Sequence, residues 1–373
     1  MRSATRATGS SPAKSWKCKI GEAMSIDDTW GEPEDEPAAI GTIIGGYRIL
    51  SAGAADERRT LYEAESVELG TRVTLGVVHG DGTPATERLR DGEKLRDVKH
   101  AGLTGVLEVG KLDNGDLFVA TERAIGTSLR IMIKGGLLEQ RHALAIVRQV
   151  LEALAAAHDV GAIHGDVRPE IIFLARDGKV ESVKLAELGV GTLAGAKPGD
   201  PRYCAPGSTS GAIDARADIY SVGAVLFELL TGYSPFVAND PITLRRLHTY
   251  APLQTLKQRA PELTFNHALE ELVAMALARE PEARFQSARD MIAVVDHALQ
   301  SIEELGSPVA PRRRPANDSL LVLAKQLMPA SAPEPSAAVV PVNVDRHVPK
   351  LSLWTRLVLW LRRLFHKLRT RGR

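Results

Sequence analysis

Cysteine is nearly absent: the 373 residues hold only Cys18 and Cys204, far apart in the chain. Neither a disulfide framework nor a zinc-ligand spacing can be built from them, which points to a reducing compartment. Long apolar runs are missing too. The opening residues, MRSATRATGSSPAKSWKCKIGEAM, lack the apolar core of a secretory leader. No stretch reaches the ~18 uninterrupted apolar residues of a spanning helix. A basic body is also absent. From Lys350 onward there are eight Lys or Arg and no Asp or Glu, yet the whole chain carries only +1. The rest is therefore mildly acidic, which argues against a nucleic-acid-binding core. What is present is ordinary for a soluble globular protein: 44% hydrophobic and 25% charged residues, with length enough for one large domain plus tails.

Composition divides the chain into four parts. Residues 1–43 run from a basic start into the acidic stretch Asp27 to Glu36, with few aromatics, and are expected to be a disordered arm. Residues 44–126 read mainly as strands. Val73, Leu75 and Val77 alternate with Thr74, Gly76 and Val78, and Asp113-Asn114-Gly115 between apolar runs, led by Leu107 and Val109, marks a hairpin. Between these strands, Thr86 to Val98 reads as a charged helix. Residues 127–305 read mainly as helices. Val147, Val150, Leu151, Leu154 and His158 share one helical face that Gly161 can end. The segment DARADIYSVGAVLFELLTG is apolar nearly all round and suits a core, and Asp177-Gly178 offers a turn between strand-like residues. The expected class is α+β, a small β-rich lobe followed by a larger helical lobe. Residues 306–350 form a Pro/Ala-rich linker with a short apolar island, Leu320 to Leu327, and residues 351–373 a basic amphipathic helix.

Several motifs occur in an informative order. AIHGDVRPEIIF at 162–173 is followed by VKLAELGVG at 183–191, GDPRYCAPG at 199–207, the apolar helix at 214–236 and EPEARFQSARDM at 280–291. Together they resemble the catalytic loop, metal-binding segment, activation-segment end, central helix and closing motif of bacterial-type serine/threonine protein kinases. The resemblance runs from about Tyr47 to Leu305. It implies a two-lobed protein-kinase-like fold, and it sets a residue-by-residue test of the site.

Phosphoryl transfer asks a protein mainly for positioning and charge neutralisation. On that standard the chain departs from the pattern. Aligned without gaps, Ala54, Asp56 and Arg59 stand at the three glycines that normally cover the phosphates. Gly76 stands at the strand lysine, and Asp91 at its helical glutamate partner. Gly165 replaces the arginine after the catalytic histidine. Ile171 replaces the metal-binding asparagine and offers no oxygen. Glu187 and Leu188 replace the Asp-Phe of the metal-binding segment. Asp200 replaces a threonine that normally contacts the catalytic aspartate, and is expected to put a second negative charge beside it. Gly207 replaces the glutamate that normally bridges to Arg284. Each lost electrostatic group costs roughly 10²–10³ in rate, and several are lost together. The cleft is thus expected to be short of positive charge, and the chain to be a catalytically impaired, pseudokinase-type signalling or scaffold module.

What the resemblance retains is read on the same scale. Asp166 is either the proton-accepting base or a leftover carboxylate bonding its own loop, and the missing partners favour the second. His164 is a packing residue, and Asp218 fastens the catalytic loop. Leu61, Thr74, Glu122, Ala124 and Phe173 mark a degenerate adenine pocket, with Thr121 at its back. Glu187 is at most a single metal ligand and more simply a solvated carboxylate. No cofactor is expected, weak ATP binding without tight magnesium being the exception left open. The rival readings are an atypical active serine/threonine kinase, in which Lys94 or Lys99 replaces the lost lysine, and a sensor that binds ATP without transferring phosphate. The tail pairs a stripe of Trp354, Leu357, Val358, Leu361, Leu364, Phe365 and Leu368 with Arg356, Arg362, Arg363, His366 and Lys367. Such a helix suits an anionic membrane surface, or a partner protein. The expected partners are therefore a protein and the membrane's inner face. No nucleic acid is expected, and the expected location is cytoplasmic or peripheral to the membrane.

Overall fold

The computed structural model describes residues 40–56, 59–79, 85–178, 180–193, 200–207 and 213–305. The arm up to residue 39, the 306–350 linker with its apolar island and the 351–373 segment lie outside the described residues.

Alternating apolar residues build an antiparallel sheet of β1 (Ile43–Ile44), β2 (Tyr47–Asp56), β3 (Arg59–Ser66), β4 (Arg72–Val78), β5 (Val106–Lys111) and β6 (Leu117–Glu122), in the order β1-β2-β3-β4-β6-β5. Order begins slightly earlier than composition suggests. The Gly41 N–H reaches the Ile49 carbonyl and the Ile49 N–H the Thr42 carbonyl, so Gly41 and Thr42 are held against β2, and Ile43 already pairs in β1. Both faces of β4 are covered. Val73, Leu75 and Val77 join Tyr47, Ile49, Tyr62, Ala64, Phe118 and Ala120 in a separate apolar cluster, while Val78 joins the main core. That explains why its alternation is only partly polar. The hairpin at Asp113-Asn114-Gly115 forms, with Gly115 at φ +94° and its N–H on the Leu112 carbonyl. Leu107 faces solvent instead of pairing inward.

Helix α1 (Ala85–Leu95) packs against β5 and β6 and stops short of Val98, where the chain turns. Gly92 costs this helix about 1 kcal/mol relative to Ala. It permits close approach, since a Cβ there would meet Val109 at 2.8 Å and Leu193 at 3.1 Å.

The larger lobe opens with β7 (Thr127–Ser128) and α2 (Leu129–Gly135). It continues through α3 (Gln140–Asp159), then β8 (Ile172–Asp177), β9 (Val180–Leu185) and the short α4 (Val190–Leu193). Strands β7, β8 and β9 form a second sheet, and Asp177 pairs with Val180 across the β8–β9 turn. Helix α5 (Ala215–Thr231) is buried along nearly its whole length, as a helix apolar on every side must be. The Asp214 side chain caps its N-terminus, and Gly232, at φ +81°, closes its C-terminus. Helices α6 (Pro241–Tyr250), α7 (Leu256–Arg259), α8 (His267–Ala276) and α9 (Ala288–Leu305) complete the lobe, with α3, α8 and α9 packed around α5. No helix among the described residues is long and apolar enough to cross a membrane.

Candidate functional site

The site lies where the loop between α3 and β8 meets the β2–β3 hairpin of the small lobe. One buried carboxylate sets the loop. Asp218, in the first turn of α5, accepts from the His164 N–H at 2.9 Å, from the Gly165 N–H at 2.8 Å and from His158 Nε2 at 2.8 Å. Burial pushes its carboxyl pKa up, but the His158 hydrogen bond, the neighbouring histidines and the Gly165 N–H outweigh that and hold it low. Gly165 sits at φ +79°, a conformation that a β-carbon resists. His164 is fully buried, with Nε2 on the Ala186 carbonyl at 2.8 Å. The loop is thereby tied to the Glu187 segment.

Asp166 projects from this loop into the cleft, where two arginines meet it. Arg59 Nη2, from the first residue of β3, lies 2.5 Å from Asp166 Oδ2, and Arg168 Nε lies 3.1 Å from the same oxygen. Glu187 closes the group, 3.4 Å from Arg168 Nη2 and 3.9 Å from Arg59 Nη1. All four side chains are buried, Asp166 at 5% exposure. Burial alone would raise the Asp166 pKa. The Arg59 and Arg168 charges and hydrogen bonds override it and hold the carboxyl well below the ordinary aspartate range. A carboxylate held so low is a weak proton acceptor.

The cluster runs outward in both directions. Asp56, directly opposite Arg59 across the hairpin, bonds its Nε at 3.0 Å and its backbone N–H at 3.2 Å. On the other side Glu170 lies 3.8 Å from Arg168 Nη1 and 2.6 Å from Arg130 Nε. Arg130 also reaches Glu228 at 2.8 Å and the Tyr203 hydroxyl, which itself donates to Glu228 at 2.5 Å. Burial and the Glu228 carboxylate push the Tyr203 phenol pKa well up, so it stays a donor.

Several sequence expectations change here. The cleft is not short of cations: Arg59 and Arg168 stand inside it, but carboxylates of the chain itself have taken them up. Asp56 does not face a phosphate position unopposed, because Arg59 holds it. Asp200 does not raise Asp166. Its carboxylate accepts from the Arg202 N–H at 2.9 Å and Nε at 2.7 Å, and Arg202 also reaches Glu170 at 3.5 Å. Glu187 is buried, not solvated, and takes φ +61°, a left-handed conformation rare outside glycine. Lys94 and Lys99 are exposed to solvent, and the cation that reaches the cleft carboxylates from the small lobe is Arg59. The Asp91 side chain lies outside the described residues.

The adenine-pocket residues are distributed unevenly. Leu61 is buried, and its Cδ2 would stand 3.4 Å from a β-carbon at Gly76. Val119 at 3.3 Å and Val190 at 3.4 Å close the other sides, so apolar groups fill the space beside the lysine position. Thr74 pairs with Thr121 across β4–β6, and the Thr121 hydroxyl donates to the Thr74 carbonyl at 3.4 Å. Glu122 turns its carboxylate to the Gly105 N–H at 3.0 Å. Ala124 and Phe173 pack, half-buried, against the main core. Ile171 is buried in that core.

Arg284 keeps a structural place although Gly207 stands where the family has its partner glutamate. It donates to the Ala278, Arg279 and Arg216 carbonyls at 2.8, 2.7 and 3.1 Å and lies 4.9 Å over the Tyr220 ring. Burial lowers its pKa.

Two residues of this cluster are not singled out by the motif pattern. Arg59 aligns with a glycine position, and Arg168 follows Asp166 by two residues with no motif role. The available signal was the Asp56–Arg59 pair, opposite charges three residues apart at a hairpin end.

A curled antiparallel sheet over a helical lobe, with an aspartate loop fastened to the first turn of a buried central helix, defines a protein-kinase-type fold. The chain belongs to the protein kinase family: the profile of the protein kinase domain matches residues 81–298, starting after β4. It is 30% identical over 285 residues to the serine/threonine-protein kinase pkn2 of Myxococcus xanthus, covering 71% of this chain and 34% of that protein. Identity to pkn3 of the same organism is 28% over 312 residues, 79% of this chain and 56% of that protein. Identity to PknL of Mycobacterium tuberculosis is 31% over 278 residues, 70% of this chain and 67% of that protein. The chain thus spans from about a third to about two thirds of these relatives' lengths.

Proposed function

We propose that this chain is a pseudokinase, a kinase-fold module that signals by binding a protein partner rather than by transferring phosphate. One observation carries the reading: the would-be base, Asp166, is buried in a 2.5 Å ion pair with Arg59 of the opposite lobe. Magnesium-bound ATP does not fit the residues around it. Gly76 brings no cation and is walled by Leu61, Val119 and Val190. Ile171 brings no metal-coordinating oxygen. The guanidiniums that could meet phosphate already meet Asp56, Asp166, Glu170 and Glu187. An added triphosphate would have to displace buried carboxylates from their partners, which costs several kcal/mol per separated ion.

In this reading the basic amphipathic segment 351–373 tethers the module to anionic lipid on the inner face of the membrane, where each basic residue contributes about 1 kcal/mol at most. Co-sedimentation with phosphatidylserine liposomes is expected for the full chain and not for a chain ending at residue 349. Equal binding by both would reject the tether.

A second reading, an atypical active serine/threonine kinase, draws on the names of the relatives and on the retained Asp166 and Glu187. Incubation with γ-labelled ATP, magnesium and a generic acceptor protein separates the two. The pseudokinase reading expects no label above background, whereas labelling abolished by Asp166→Ala would establish the kinase.

A further inference from the structure

We infer that Arg59 is a tethered cation that stands in for a divalent ion between the cleft carboxylates Asp166 and Glu187 and bolts the small lobe to the large one. The inference deepens the reading above by naming what keeps the site closed.

Three observations carry it. First, Asp166 and Glu187 both converge on the same two guanidiniums, those of Arg59 and Arg168. Two buried carboxylates that share the same partners need positive charge between them, and in a metal-binding site a divalent ion supplies it. Second, the two arginines differ in origin. Arg168 belongs to the same loop as Asp166, two residues on, and is part of the large lobe's own fabric. Arg59 arrives from β3, across the cleft, 107 residues away in sequence. Third, Arg59 is aimed. Asp56 grips its Nε and its backbone N–H, which directs the Nη atoms at the cleft. The guanidinium therefore reaches Asp166 with Nη2 and Glu187 with Nη1 while its third nitrogen holds the hairpin. The hairpin that would cover the phosphates in an active member of the family is instead tied down onto the carboxylates.

A divalent ion and the Arg59 charge cannot share this space. The wild-type cleft should therefore refuse metal, and removal of Arg59 should leave Asp166 and Glu187 with Arg168 alone, an excess of negative charge that admits a divalent ion. Titration of the full chain with Mn²⁺ in the absence of nucleotide, followed by electron paramagnetic resonance, tests this directly. Wild type and Arg59→Lys, which keeps the charge, should show only weak surface binding. Arg59→Gln should bind about one Mn²⁺ per chain at least about tenfold more tightly, a difference of roughly 1.4 kcal/mol. Glu187→Gln in the Arg59→Gln background should remove the gain. An Arg59→Gln chain that melts cooperatively but binds no better than wild type would overturn the inference, as would equally tight binding by wild type. Should Arg59→Gln lose its cooperative melt, added Mn²⁺ is expected to restore it by mass action, and failure to do so counts against the inference. The experiment contains no nucleotide, so its result stands apart from the phosphate-transfer test of the functional reading.

Discussion

The Arg59–Asp166 pair can be tested by a double-mutant cycle of Arg59→Met and Asp166→Asn. Both side chains are buried and 2.5 Å apart, so removing either one breaks a buried pair and leaves the survivor only partly compensated, Asp166 by Arg168 or Arg59 by Asp56 and the more distant Glu187. Losses of that kind cost roughly 3–5 kcal/mol. For a domain of this size that is a fall in Tm of roughly 6–20 °C, at about 2–4 °C per kcal/mol. The single losses should not add. Once Asp166 is neutral, Arg59 retains only Asp56 and the more distant Glu187, and replacing it by methionine removes a buried cation with little left to pair. The double variant should therefore be more stable than the sum of the singles by about 1–3 kcal/mol. Urea unfolding monitored by circular dichroism measures this, with an unchanged m value as the check that the unfolding reaction is the same. Additivity within about 0.5 kcal/mol would show that the pair is not a coupled unit, and the account of a bolted cleft would fail with it.

Other outcomes follow from the same geometry. Asp218→Ala removes the acceptor for His164, Gly165 and His158 at once, and should cost at least about 3 kcal/mol of stability by urea unfolding. Gly165→Arg, which restores the residue usual in the family, should destabilise by about 1–2 kcal/mol because φ is +79° there, and should not restore phosphate transfer. Acid should unfold the chain steeply. The Asp166, Glu170 and Asp218 pKa values are all lowered in the folded state, so the unfolded chain takes up more protons. Their stabilisation is complete above the ordinary carboxylate range near pH 4 and drains away below it. The urea midpoint should fall between pH 5 and pH 3, and fall less in Asp166→Asn.

Much of the fold was legible because local pattern and tertiary role agree. The face of Val147, Val150, Leu151 and Leu154 on α3 packs against α5 and α9, and the all-apolar 215–231 segment is the centre of its lobe. Asp214 and Gly232 bound α5, each a residue type suited to its end of a helix. The site was legible only where a motif position maps to one neighbourhood: His164, Asp166, Asp218. What spacing could not convey is reach. Arg59 and Asp166 are 107 positions apart, and nothing in the periodicity of β3 announces that its first residue leaves the sheet's own cluster and enters the cleft. Counting lost groups gave a site poor in cations. The fold shows one whose cations are already spent on the chain's own carboxylates, and that distinction needs distances.

Calorimetric titration of the full chain with ATP and magnesium bears on the central claim most directly. If the cleft is closed by its own ion pairs, the titration should show no saturable heat for Mg-ATP, and the Tm should be the same with and without it. Micromolar binding accompanied by turnover on any protein acceptor would contradict the account.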